Sequence, residues 1–298
     1  MSLLRLWRTG VLLALAVAPP SAFCHEPALQ SHVLRVCADP NNLPFSNQAG
    51  EGFENRLAQL ISDALDTAVE YTWWPQRRGF IRNTLEAGLC DVVMGVPSDY
   101  ASTATTRPYY TSSYVLLYRK DRKYDLHSIG DSRLATLKIG VHLLGNDSPP
   151  PAMALARRGI IDNVVGYSIY GDYRDANPPA RLIEAVARGD VDVAIAWGPL
   201  AGYFAGRSVA ELAVVPIDES AVGAWPFQFS ISMGVRQRDQ ALKSRLDAAL
   251  ESKRAEIEAL LHDYGVPLIT GRRLLQASCD KERSCFSPSP ACRPFSSF

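Results

Sequence analysis

Gly88-Leu89-Cys90-Asp91-Val92-Val93-Met94-Gly95 and Gly189-Asp190-Val191-Asp192-Val193-Ala194-Ile195-Ala196-Trp197 are built alike: a turn glycine, an acidic step, then an unbroken apolar run. Apolar runs without alternation are what parallel strands need when both faces are covered by helices. Each run closes a strand-helix series. Leu34–Val36 and Phe53–Leu65 precede the first; Leu137–Val141, Ala152–Arg158, Val164–Tyr170 and Ala180–Arg188 precede the second. The spacing predicts an α/β chain of two lobes in series, each with a doubly wound central sheet and helices on both faces. A crevice between two such lobes is where a small ligand is held.

Working outward, Val69–Trp73 reads as a strand and Phe80–Ala87 as a helix of the first lobe, and Tyr114–Arg119 as the first crossing between lobes. Leu212–Ile217 reads as the return crossing and Phe229–Val235 as a strand that pairs back. Asp239–Tyr264 reads as one long amphipathic helix, with Leu242, Leu246, Leu250, Ile257 and Leu261 on one side. The first lobe is thus placed at 33–119 plus 217–267, the second at 120–216, and a Cys, Pro and Ser-rich tail at 271–298.

The N-terminus reads as an address. Arg5 and Arg8 precede the apolar run Val11–Ala18 and then small and Pro residues, the order of a secretory signal peptide placed at 1–24. The run falls short of the ~20 residues of a bilayer span, and Ser21-Ala22-Phe23 makes a poor lipid-attachment signal for Cys24. A periplasmic location follows as the expectation. Lys plus Arg and Asp plus Glu are 31 each, so no excess charge steers the chain to nucleic acid, and no membrane span is expected. The 6 Cys suit an oxidising compartment. Two readings stay open for Cys37 and Cys90: a disulfide between neighbouring strands, or two buried thiols.

No chemistry of catalysis stands out. The five His residues are scattered without metal-ligand spacing, Gly50-Glu51-Gly52 lacks the context of a phosphate loop, and no catalytic residue, metal or cofactor is assigned. The loops at the C-terminal ends of the strands, where open α/β sheets meet ligands, carry aromatics and polar groups instead. Asn42, Phe45, Trp74, Arg77, Thr106, Arg107, Tyr109, Asp147, Tyr173 and Trp197 are the candidate cleft residues. Strand alternation makes Trp73 the more buried of its pair. Trp74 and Trp197, as loop residues, are expected to be replaceable without loss of folding.

Longer segments narrow this. Tyr71-Thr72-Trp73-Trp74-Pro75-Gln76-Arg77-Arg78-Gly79-Phe80, Thr106-Arg107-Pro108-Tyr109-Tyr110, Tyr170-Gly171-Asp172-Tyr173-Arg174, Asn177-Pro178-Pro179-Ala180-Arg181 and Trp197-Gly198-Pro199-Leu200-Ala201-Gly202-Tyr203 resemble signatures of the MxaJ/XoxJ family. These are type II-like periplasmic binding proteins that partner PQQ-dependent methanol dehydrogenases. The resemblance covers about Leu34 to Pro267 and looks closer to XoxJ, of the lanthanide-dependent enzyme. It implies a non-catalytic accessory protein that binds a quinoprotein methanol dehydrogenase through its cleft and assists its activation. The alternative is a solute receptor that delivers a small ligand to a transporter. Amino-acid-binding relatives place an Arg several residues before the segment matched by Pro108-Tyr109-Tyr110, and an Asp where Trp197-Gly198 stands. Both charge partners of a zwitterion are displaced here, so no free amino acid is expected to bind tightly.

Overall fold

The computed structural model describes residues 33–143, 149–169, 177–217, 221–222 and 225–269. The signal peptide, Asp147, Tyr173 and the tail cysteines Cys279, Cys285 and Cys292 lie outside the described residues. Two sets of parallel strands carry the structure. β1 (Val33–Ala38) lies between β2 (Ala68–Trp73) and β3 (Val92–Pro97), in register Cys37 opposite Thr72 and Val93. β4 is the long strand Tyr110–Arg119. Beyond it, β5 (Ile139–Leu143) lies between β6 (Val164–Ser168) and β7 (Val193–Trp197), again parallel.

The two sets do not remain separate sheets. β9 (Gln228–Val235) completes one hydrogen-bonded path, β2-β1-β3-β9-β4-β7-β5-β6, and β8 (Leu212–Pro216) pairs with β4 off that path. The reason is the length of β4. Its residues Tyr110–Ser113 pair with β9, and from Tyr114 onward it pairs with β7 on one side and β8 on the other. Tyr114 sits at the change of partner, donating its N–H to the Phe227 carbonyl and accepting from the Ile217 N–H. Sequence alone shows the crossing strand, not the continuous sheet it produces.

Helices cover both faces. α1 (Phe53–Leu65) buries Phe53, Leu57 and Ile61 against Val92, Met94 and Met233, together with Leu246 and Leu250. The opposite face of the same strands carries a smaller cluster of Phe80, Leu85, Val93 and Val96 around a Cys37–Cys90 disulfide, whose Cα atoms are 5.5 Å apart. Around β5 and β7, α3 (Pro150–Arg157) packs on one face and α4 (Ala180–Arg188) on the other. Among the described residues no helix is long and apolar enough to cross a membrane.

Three elements depart from the sequence reading. The helix expected over Phe80–Ala87 is a single turn, α2 (Phe80–Asn83), because the Thr84 hydroxyl donates to the Phe80 carbonyl and Thr84 leaves helical geometry. Gly198–Ala205 is a helix, α5, where a cleft loop was expected; Pro199 suits its first turn. The long C-terminal helix is two, α6 (Gln240–Ser252) and α7 (Arg254–Asp263). Between them Lys253 adopts φ −102° and ψ 11°, and the Ser252 hydroxyl takes the Ala249 carbonyl.

Candidate functional site

The loop after β1 is held by Asp39, which is buried. Its Oδ1 accepts from the Asn41 N–H at 2.8 Å and its Oδ2 from the Gln76 N–H at 2.6 Å, so one carboxylate anchors the loops after β1 and β2 together. Asn42 adds a side-chain bond to Gln76 at 3.0 Å. The chain then turns so that Phe45 lies against the start of α1, where its carbonyl accepts the Glu54 N–H at 2.9 Å. Only glycine fits beneath it, since a Cβ on Gly52 would stand 2.0 Å from the Phe45 carbonyl oxygen. The result is an aromatic ring delivered to the crevice from a rigid base.

Opposite Phe45 the second set of strands supplies the other walls. Among the described residues, a cavity of about 200 Å³ is lined by Phe45, Tyr114, His142, Ile195, Trp197 and Leu200, together with Pro149, Pro151 and Ile169. Trp197 stands edge-to-face with Tyr114 at 5.6 Å and with Phe229 at 5.8 Å, and it also packs on the hydrophobic core around α1. It is therefore a half-buried bridge between the two halves, not the expendable loop residue that the sequence suggested. Trp74, by contrast, is 40 % exposed.

Two titratable groups here escaped the sequence reading. His142 is 7 % exposed; its Nε2 lies 3.0 Å from the Pro179 carbonyl and its Nδ1 has no protein partner. Burial pulls the imidazole down to about 4, so it is neutral at pH 7. The carboxyl of Glu54 lies against the backbone of Gly95, where a Cβ would meet Oε1 at 2.2 Å. Burial lifts this carboxyl to about 8, although the residue as a whole keeps some exposure. The phenols of Tyr109 and Tyr110 are held well above their usual range by burial first and by Glu54 second. An acid in the first turn of a helix ordinarily complements the helix dipole, which hides Glu54 in the sequence. Its meaning comes from tyrosines more than fifty positions away.

Not all the expected residues meet. Phe45 and Trp197 line one cavity. Asn42, Trp74 and Arg77 belong to the adjoining loops after β1 and β2. Thr106 is buried and latches β9, its hydroxyl accepting from the Met233 N–H at 3.0 Å. Arg107 faces α6: its Nη1 pairs with Glu251 at 2.8 Å, and its N–H donates to Asp247 at 2.7 Å. Arg107 and Tyr109 line a different groove, against α6 and α7. Adjacency in sequence could not reveal those two acids.

The buried carboxyl and imidazole give a signed pH prediction. Between pH 4.5 and 8 the folded chain holds a proton on Glu54 that the unfolded chain has lost, so this group's stabilisation fades as pH rises. Between pH 4 and 6.5 the unfolded chain protonates His142 and the folded chain does not, so that contribution grows as pH rises. The two oppose up to pH 6.5, and above it only Glu54 acts. Thermal melts should fall from pH 6.5 to 8 by about 5 °C, for a loss of about 2 kcal/mol. Glu54→Gln should flatten that decline; identical slopes in the two proteins would mean that Glu54 is ionised throughout.

The strand order and the two faces of helices agree with what comparison finds. Residues 34–265 match the model of bacterial extracellular solute-binding proteins, family 3. The chain belongs to that family. Among its relatives, Protein MoxJ of Methylorubrum extorquens is 34 % identical over 247 residues, covering 79 % of this chain and 81 % of that one. The crystal structure of periplasmic binding protein XoxJ from Methylobacterium extorquens AM1 is 36 % identical with a TM-score of 0.67, covering 80 % of this chain and 99 % of that one. MxaJ from Methlophaga aminisulfidivorans is 28 % identical with a TM-score of 0.70, covering 79 % of this chain and 100 % of that one. The membership expected from the signature segments holds, while identity favours XoxJ and TM-score favours MxaJ, so the two types are not separated. An ancestral cationic amino acid binding protein at 21 % identity and a TM-score of 0.61 shares the fold.

Proposed function

We propose that this protein is a periplasmic, non-catalytic accessory protein of a quinoprotein methanol dehydrogenase, docking on the enzyme through its inter-lobe cleft and assisting its activation. The lobes of this reading are 33–119 plus 217–267 and 120–216. The observation that carries it is the similarity to MoxJ, XoxJ and MxaJ along nearly the full length of those chains. The crevice supports it as well. Arg107, the side chain best suited to a substrate carboxylate, pairs with Glu251 at 2.8 Å on another face and lies 4.0 Å from Asp247. A buried zwitterion without charge partners is costly. A second reading, a receptor for a small solute, is favoured by the apolar cavity between Phe45 and Trp197.

The test is direct. Trp74→Ala removes an exposed side chain and should leave the melting curve unchanged while weakening association with a purified quinoprotein methanol dehydrogenase by ~2 kcal/mol, the scale of an aromatic hot spot. Because Trp197 bridges the halves, Trp197→Ala is expected to lower the melting temperature too, and Trp197→Phe is the cleaner companion. Unchanged association in a folded Trp74→Ala protein takes that residue out of the docking surface. Micromolar binding of a common amino acid in calorimetry would put the receptor reading first.

A further inference from the structure

Two strands carry the chain between the halves: β4, which changes partner at Tyr114, and β9, entered just after Phe227. Two adjacent crossings can act as a hinge, because a few residues absorb the change in φ and ψ. The chain after α7 adds contacts beside them. Tyr264 stands edge-to-face with Phe53 of α1 at 5.9 Å, and its hydroxyl donates to the Glu51 carbonyl. Its other neighbour is Tyr203 of α5, nearly parallel at 14° with centroids 5.6 Å apart. Tyr203 is 7 % exposed, and the Arg207 guanidinium lies 3.6 Å from its ring centroid, so its place is set from its own helix. Gly265 follows at φ +68°, and its carbonyl oxygen lies 1.9 Å from where a Cβ on Gly202 would stand, so backbone meets backbone there. Pro267 Cγ is 3.1 Å from the corresponding position on Gly198, and the Pro267 carbonyl accepts from the Ser112 hydroxyl at 2.6 Å. The Ile269 N–H then donates to the Thr111 carbonyl at 2.8 Å.

These contacts join opposite halves. Ala201 of α5 packs in one cluster with Val115, Ile183 and Ala194, while Val266 packs with Phe53, Leu57 and Met233. The segment runs back along α5 from Tyr203 through Gly202 to Gly198, a span of roughly 7 Å at the helical rise. Its inner end, at Ser112, lies beside the crossing and would follow a bend. Its outer end does not, because a change of angle slides the Tyr203 ring off the Tyr264 ring. We infer that Tyr264–Ile269 is a strap that fixes the angle between the two halves, with the Tyr203–Tyr264 stack as its outer fastening. Receptors of this architecture close around a ligand by hinge motion, and the strap opposes that step. The crevice is thereby presented as one preset surface, which lowers the ordering cost of binding. The inference rests on contacts within this chain and stands whether or not the proposed partner is the right one.

Pulsed electron paramagnetic resonance on the full chain reads the angle as a distance distribution. Spin labels are attached through azido amino acids at Ala64 on α1 and Glu184 on α4, both exposed, which leaves the cysteines alone. The otherwise unaltered chain is expected to give one narrow distance. Tyr264→Leu and Tyr203→Leu keep apolar bulk but lose the stack, and each should broaden that distance or add a second. The double variant should be no broader than either single one, because both remove the same contact. Tyr203→Leu leaves the contact between Tyr264 and Phe53 in place, so it carries the test if Tyr264→Leu fails to fold. A melting curve alone does not decide the matter, since any loss of packing lowers it. Two distances in the unaltered chain, or a folded Leu variant that keeps the single narrow peak, overturns the inference.

Discussion

Asp91→Ala is expected to destabilise the fold by about 3 kcal/mol, through the arginines it leaves behind rather than through its own contacts. Asp91 opens β3, its N–H bonded to the Arg35 carbonyl at 2.7 Å. Its carboxylate accepts from Arg35 Nε and Nη2 at 2.8 and 2.7 Å and from Arg236 Nη2 at 2.7 Å. Arg236 is largely buried and also donates to the carbonyls of Leu85 and Cys90 at 3.2 and 2.5 Å, so it ties the end of β9 to the turn before β3. Without Asp91 this guanidinium keeps Asp239, whose Oδ2 is 2.5 Å from Nε but off the N–H direction, a charge contact without a hydrogen bond. That remaining partner puts the expected loss at the lower end for a broken buried pair.

The pH dependence has a definite sign. Burial alone would raise the Asp91 carboxyl, but the bonds from Arg35 and Arg236 outweigh it and hold the group below its usual 3.8. Its contribution is present above the ordinary carboxylate range and is lost as pH falls through the lowered value. Urea unfolding at pH 7 should show the mutant midpoint clearly reduced, with the gap to wild type narrowing in acid. A midpoint equal to wild type at pH 7 would show that Arg236 is satisfied without Asp91.

How much of this was readable beforehand depends on whether a residue's partners are near it in sequence. Phe53–Leu65 and Ala180–Arg188 are helices at the predicted bounds because apolar spacing is local. The apolar runs at Val92 and Val193 are parallel strands for the same reason, and Asp91 and Asp192 open them alike, each donating its N–H to the neighbouring strand. The break at Lys253 and the helix after Trp197 turn on single hydrogen bonds and on packing, which periodicity does not encode. That Phe45 and Trp197 would line one cavity was legible because Phe45 follows a strand and Trp197 ends one. His142, Glu54 and Asp39 were not: each is a lone polar residue until a distant chain segment encloses it. Arg107 misled in the opposite direction, since its neighbours Tyr109 and Tyr110 suggested a cleft while the acids of α6 claim it.

The remaining large effect belongs to Cys37–Cys90. The bridge joins residues 53 apart, and on the chain-entropy model closing such a loop in the unfolded state is worth about 4 kcal/mol. For a folded region of this size that corresponds to a fall in melting temperature on the order of 8–16 °C when the bond is absent. Cys37 and Cys90 are 2 % and 0 % exposed, so a reductant reaches the sulfurs only when the cluster of Phe80, Leu85, Val93 and Val96 opens. Reduction by dithiothreitol should accordingly be slow in buffer and fast in urea. Replacing both cysteines by Ala is the better substitution than Ser, because two hydroxyls in that cluster would add a desolvation cost unrelated to the crosslink. Thiol titration of the unreduced chain in denaturant should find at most four of the 6 cysteines free. Six free thiols in exported protein would remove the bridge, and a double-Ala protein that melts with wild type would show that it adds nothing to stability.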